Sequence, residues 1–236
     1  MALSLSNRML YGLGGSVYAV KEAAYIVFIL LFYTQVLGVP GALTGAVLFI
    51  GLVWDAISDP LVGIWSDRIR ANRGQRWTLM CAGAIPLGIG FVGLFSPPQA
   101  LIGNHTLLAA WLLFWSLWVR TTVTLFSIPH LAMVAEISSD YHERSHLLGY
   151  RMGFMFLTTV LLPASAMAII FGEQGGEDGR FQLDNYPYYG WLSCFVAWLA
   201  AAGSLAGCRP LEITRIDNRR RSEEHTSELQ SQFRIS

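Results

Sequence analysis

The chain has 236 residues, of which 53% are hydrophobic and only 14% are charged, and its formal net charge is zero. Soluble domains carry roughly 25% charged residues, so this composition excludes an ordinary soluble globular protein. The neutral balance gives no indication of a nucleic-acid partner. The three cysteines are far apart in the sequence, so neither a disulfide framework nor a metal-ligand spacing follows from them.

Six apolar stretches are long enough to cross a lipid bilayer, which takes about 20 mostly apolar residues. Gly and Pro occur inside them, and a helix bundle tolerates both because neighbouring helices satisfy the freed backbone groups. The sequence therefore predicts an all-α membrane protein with a six-helix bundle over residues 1–207. The predicted spans are 12–37, 41–66, 77–96, 106–134, 147–171 and 188–207.

The arginines of the loops predict the orientation of the bundle. One side of the membrane receives ten of them, whereas the other side receives Arg180 alone. Because positively charged loops stay inside, both termini are predicted to be cytoplasmic, in a multi-pass protein of the cell (inner) membrane. The ten arginines are Arg8, Arg68, Arg70, Arg73, Arg76, Arg144, Arg209, Arg215, Arg219 and Arg220.

The C-terminal segment is unlike the rest of the chain. Residues 208–220 are predicted to begin a cytoplasmic loop. Residues 221–236, RSEEHTSELQSQFRIS, match the translation of a common sequencing adapter, so we expect a non-native, disordered tail. We also expect the native protein to continue beyond residue 220.

Ionisable side chains inside the spans are candidates for function, because a charge in the bilayer is costly. Asp55 and Asp59 lie one helical turn apart and therefore share a helix face. Two close carboxylates repel in a low dielectric unless one is protonated or a cation lies between them, and Ser58 adds a hydroxyl. The alternative is that both acids form ion pairs with basic residues of the spans. The other ionisable residues are Lys21, Glu22, Arg120 and Arg151.

Several motifs resemble those of the glycoside–pentoside–hexuronide:cation symporters, a branch of the major facilitator superfamily that includes melibiose-type permeases. The resemblance covers residues 7–210, and the motif of the second span is the most specific part. The motifs are WDAISDPLVG at 54–63, SDR at 66–68, RANRGQR at 70–76, YGLGG at 11–15, YTQVLGVP at 33–40 and SIPHLAMVAEI at 127–137.

The resemblance implies the N-terminal half of a twelve-helix fold, with substrate and cation bound near the membrane midplane between two halves. It implies symport of a sugar, glycoside, uronate or other small organic solute with sodium or a proton, and no enzymatic activity, cofactor or further metal. Asp55, Asp59, Ser58 and Thr124 would bind the cation, and Arg151 would lie near the sugar. The implied partners are the bilayer, the small-molecule substrate and a second six-helix half.

The chain departs from the family at the substrate. The two acids that bind sugar in melibiose-type permeases align with Ala19 and Ser127, so a galactoside is not supported. Lys21, Glu22 and Arg120 are present instead. Arg120 shares a helix face with Thr124 and Ser127, and a guanidinium there could bind an anionic or zwitterionic substrate. The alternative is that Arg120 neutralises Asp55 or Asp59.

The loop after the second span resembles the cytoplasmic gating loop of the superfamily. Asp67, Arg68, Arg73 and Arg76 are its predicted gating residues, and their ion pairs would break and re-form as the inner side opens. The alternative is that the arginines only set orientation.

Two other functions remain to be weighed against symport of a small solute. One is a lipid or lysolipid carrier of the same superfamily. The other is a membrane enzyme or receptor, for which the sequence provides no nucleophile–base pair or metal cluster.

Overall fold

The computed structural model describes residues 4–73, 76–138, 140–173 and 178–209. Six long helices account for most of these residues, and all six are long and apolar enough to cross a membrane. The prediction of an all-α, six-span membrane bundle is therefore confirmed. The helices are α1 over Leu5–Val36, α2 over Gly41–Arg73, α3 over Trp77–Phe95, α4 over His105–Ile137, α5 over Tyr141–Ile169 and α6 over 186–209.

Several helices extend past the predicted spans. α1 begins at Leu5 rather than at residue 12, and α2 ends at Arg73 rather than at residue 66. The hydropathy pattern marks only the length that lies in the bilayer, whereas a capped helix continues into the aqueous layer. Ser4 caps α1 by accepting a hydrogen bond from the Asn7 amide at 3.3 Å. The predicted loop and tail after residue 209 lie outside the described residues.

The second half of α1 is not a regular α-helix. After the α-helical part, Leu5–Ala23, it widens into two π-helical segments, Ala24–Ile29 and Phe32–Val36. π-helical turns are rare and are found mostly at functional sites, because they change the direction in which side chains point. Gly38, at φ +70°, then starts the turn into α2 in a conformation that favours glycine.

Close helix contacts through glycine hold the bundle together. α1 packs along α5, α3 packs along α4, and α2 packs along α4. A Cβ atom on Gly15 of α1 would lie 2.2 Å from the carbonyl oxygen of Arg151 on α5. A Cβ atom on Gly83 of α3 would lie 2.8 Å from the carbonyl oxygen of Thr122 on α4. Small residues at such crossings let the backbones approach closely, which drives helix association in lipid.

α2 and α5 are the least covered helices of the bundle. In their most apolar stretches 22% and 11% of the residues are buried, compared with 61% in α1. Each exposes a row of large apolar side chains, including Phe49, Leu52 and Leu61 on α2 and Phe156, Val160 and Leu161 on α5.

Candidate cation- and substrate-binding site

The two acids of α2 each meet a polar side chain of α4. Asp55 pairs with Arg120 through Oδ2 and Nη1, and Asp59 Oδ1 accepts a 2.8 Å hydrogen bond from Thr124 Oγ1. Both pairs are separated by 65 residues, so α2 and α4 run parallel in this region with a constant register. The one-turn spacing of the acids therefore matches the one-turn spacing of their partners.

The position of Arg120 is fixed by its surroundings on three helices. Its guanidinium lies over Gly51 of α2, where a Cβ atom would approach Arg120 Nε to 2.5 Å. The Tyr25 ring, in the first π-helical segment of α1, lies 4.7 Å from Arg120 Cζ. The Tyr25 hydroxyl donates a 2.9 Å hydrogen bond to Ser116 Oγ, one turn before Arg120 on α4. The side chain is therefore buried between α1, α2 and α4.

Lys21 of α1 is a second basic residue beside Asp55. Lys21 Nζ lies 3.1 Å from Glu22 Oε1, 4.0 Å from Asp55 Oδ2 and 4.3 Å from the centre of the Tyr18 ring. Asp55 thus lies between two positive charges, one from α1 and one from α4. This geometry matches the alternative in which Arg120 neutralises Asp55, because its guanidinium already has a carboxylate partner in the same protein.

Ser58 on α2 and Ser127 on α4 carry further hydroxyl groups. Ser58 precedes Asp59, and Ser127 lies one helical turn beyond Thr124 on α4. Both residues are buried, and neither hydroxyl oxygen has a hydrogen-bond partner among the described residues. A buried polar atom without a partner is costly, and hydroxyl and carboxylate oxygens are the ligands that hard cations prefer.

Two residues of the predicted substrate site lie apart from this cluster. Ala19 is fully buried in α1. Arg151 is buried on α5, where its carbonyl faces Gly15, six residues before Lys21 on α1. No ion pair in the described part of the chain joins Arg151 to Asp55 or Asp59. The structure therefore brings together Lys21, Glu22, Asp55, Asp59, Arg120 and Thr124, but not Arg151.

Comparison with known families identifies the chain. The family model described as MFS/sugar transport protein matches residues 10–233. The chain belongs to this family. Its bundle of six helices is consistent with half of the fold of these transporters. The matched range extends into the predicted adapter-derived tail, which lies outside the described residues.

Curated relatives in the family are named as transporters. The chain is 30% identical to an uncharacterized symporter of Synechocystis and 29% identical to the putative glycoside/cation symporter YagG of Escherichia coli. It is 33% identical to the sodium-dependent lysophosphatidylcholine symporter 1 of Xenopus tropicalis. The alignments cover 67%, 76% and 67% of this chain, but only 30%, 39% and 30% of the relatives.

These relatives confirm several predictions made from the sequence. They confirm the symporter-like family and a multi-pass membrane protein, and the relatives themselves are named as symporters rather than enzymes. The cytoplasmic position of the termini and the identities of the coupling ion and the substrate stay predictions. The chain spans about a third of the length of these relatives, so the activity of the whole protein is a proposal.

The predicted gating loop of this family member forms a compact charge cluster around Arg76. This buried side chain reaches Asp67 Oδ1 at 2.6 Å, Ser66 Oγ at 3.3 Å and Glu136 Oε1 at 3.2 Å. Glu136 Oε1 also forms an ion pair with Arg70 Nε at 2.6 Å, so the cluster joins the end of α2 to the end of α4.

The sequence prediction covers this cluster only in part. Of the predicted gating residues, Asp67 and Arg76 lie in it, Arg68 is exposed, and the side chain of Arg73 lies outside the described residues. Arg70 and Glu136 were missed. Glu136 had a readable signal, since it is an acid at the end of a span on the side where arginines set the orientation.

Proposed function

We propose that the protein containing this chain is a secondary active symporter, which uses a cation gradient to move a small organic solute across the membrane. The observation that carries the proposal is the pair of acids, Asp55 and Asp59, held one turn apart inside a membrane span against polar partners on α4. Acids at this depth are costly and mark ion pathways in transporters.

The coupling ion is sodium or a proton. Sodium is a hard cation that takes oxygen ligands, and the structure places the Asp59 carboxylate beside the Thr124 hydroxyl. A proton would bind the carboxylate itself. The putative glycoside/cation symporter named above supports a sugar-like solute, and the hydrogen-bonding side chains around α1 and α4 suit such a solute.

A second half-bundle is expected to complete the transport path. The apolar faces of α2 and α5 are uncovered among the described residues, and such faces in a membrane protein contact either lipid or further helices. On α5, Gly149 and Gly153 are spaced four apart, and a Cβ atom on either would meet nothing within 4 Å. Glycines in this spacing are typical of close helix packing in membranes. Movement of one half against the other would expose the site alternately to each side.

A second candidate function is transport of a lysolipid. Its support is the similarity to the sodium-dependent lysophosphatidylcholine symporter 1 of Xenopus tropicalis. The charged cluster of Lys21, Glu22 and Arg120 would then lie near a zwitterionic head group, and an apolar groove of about 490 Å³, lined by Met9, Phe154 and Leu157 among others, could hold an acyl chain.

Uptake into proteoliposomes tests the proposal and separates the candidates. The complete transporter would be supplied with labelled glycosides, uronates and lysophosphatidylcholine, with and without an inward sodium or proton gradient. We expect gradient-dependent accumulation of one solute class, and loss of accumulation in Asp59→Asn. Equal uptake with and without every imposed gradient would contradict symport.

A further inference from the structure

The two acids of α2 have different electrostatic surroundings. The Asp55 carboxylate has Arg120 on one side and Lys21 at 4.0 Å on the other, so it is compensated by charges of the protein itself. The Asp59 carboxylate is held by the hydroxyl of Thr124, a neutral group. In the described residues, none of the ion pairs includes Asp59.

The charges of the cluster do not balance. With every group ionised, the carboxylates of Glu22, Asp55 and Asp59 face only the two positive charges of Lys21 and Arg120. Arg151 would restore the balance if it joined the cluster, but none of the ion pairs among the described residues joins it to these three carboxylates. The cluster is therefore short of one positive charge, and an uncompensated charge inside the bilayer is costly.

Oxygen atoms suited to a cation are present on α2 and α4, the two helices that carry the uncompensated acid and its partner Thr124. Thr124 Oγ1 contacts it directly, and the buried hydroxyls of Ser58 and Ser127 have no hydrogen-bond partner among the described residues. Pro60 follows Asp59 inside α2 and has no N–H, so the carbonyl of Ala56 loses its intrahelical donor. Carboxylate, hydroxyl and carbonyl oxygens are the usual ligands of hard cations.

We infer that the transporter binds a single monovalent coupling cation at Asp59 and Thr124, while Arg120 serves as the permanent counter-ion of Asp55. This inference rests on the proposed cation coupling and assigns different tasks to the two acids. It departs from the pattern implied by the resemblance, in which both acids bind the cation. Gly51 contributes by leaving room for the guanidinium against α2.

Cation binding by the complete, purified transporter tests this division. Thermal unfolding would be followed while NaCl or LiCl replaces choline chloride at constant ionic strength, and again across a pH series without either ion. Binding of labelled sodium would give the number of ions bound. The variants are Asp59→Asn, Arg120→Gln and the double variant Asp55→Asn/Arg120→Gln, each first compared with the wild type in choline.

The expected results differ between the variants. The wild type gains stability from one cation, and Asp59→Asn loses that response. The double variant removes one charge of each sign, so it keeps the response, with a dissociation constant within about threefold of the wild type (about 0.7 kcal/mol). Arg120→Gln leaves Asp55 undercompensated and therefore binds the cation more tightly or binds a second one.

The opposite results would overturn the inference. Loss of the cation response in the double variant would show that Asp55 is a cation ligand. Unchanged cation binding in Arg120→Gln would show that Arg120 does not compensate the charge of Asp55. These outcomes leave cation coupling itself intact. A wild type that responds to neither sodium, lithium nor protons would instead remove the proposed function and this inference together.

Discussion

The contact between α1 and α5 at Gly15 gives the sharpest test of the packing. In Gly15→Ala the new Cβ atom would lie 2.2 Å from the Arg151 carbonyl oxygen, whereas ordinary contacts begin at 3.4 Å. The obstructing atom belongs to the backbone, so the helices must separate by about 1 Å. Overpacking of this kind costs about 1–3 kcal/mol.

Alanine also gains about 0.5–1 kcal/mol over glycine in a helix, which offsets part of this cost. The net expectation is a loss of about 1–2 kcal/mol, visible as a lower midpoint of thermal unfolding in detergent. Gly45→Ala on α2 is the control, because its Cβ atom would meet nothing within 4 Å. We expect the control to be as stable as the wild type or more stable. A Gly15→Ala protein as stable as Gly45→Ala would refute the close packing of α1 on α5.

Three further predictions concern the site, the gating cluster and the second half-bundle. Gly51→Ala pushes Arg120 away from Asp55 without changing any charge, so it should tighten cation binding, measured by the shift in thermal unfolding as the cation is added. Gly45→Ala is the control and should leave cation binding unchanged, because there is open space around its Cβ position. Glu136→Gln removes the carboxylate that Arg70 and Arg76 share, so it should lower the free energy of unfolding by about 1–3 kcal/mol, measured by thermal melting. An unchanged melting point would argue against the charge cluster. Gly149→Leu should abolish solute uptake by the complete transporter while leaving membrane insertion normal, and full activity would mean that this face of α5 is not a packing surface.

Local features of the site could be predicted from the sequence. The one-turn spacing of Asp55 and Asp59 places both carboxylates on one face of α2, and the spacing of Arg120 and Thr124 places both on one face of α4. These statements need only the helical period, and the contacts of Asp55 with Arg120 and of Asp59 with Thr124 agree with them. The number of spans follows in the same way from the hydropathy pattern.

The pairing of charges could not be predicted, because it depends on how distant helices pack. The sequence has three acids and three bases in its spans, so complete ion pairing was an open alternative. The constant register of α2 and α4 places Arg120 beside Asp55, and in the described residues Arg151 forms no ion pair with either acid of α2. The π-helical segments that bring Tyr25 to Arg120 also have no signal in the apolar pattern, because residues 24–36 are almost all apolar and show no clear period.

Cation movement driven by the solute tests the central proposal most directly. Proteoliposomes containing the complete transporter would receive an outward or inward solute gradient and no cation gradient, with internal sodium and pH followed by fluorescent indicators. We predict that the solute carries sodium or protons with it, and that Asp59→Asn abolishes this cation movement. Solute flux in the wild type without movement of either cation would contradict symport.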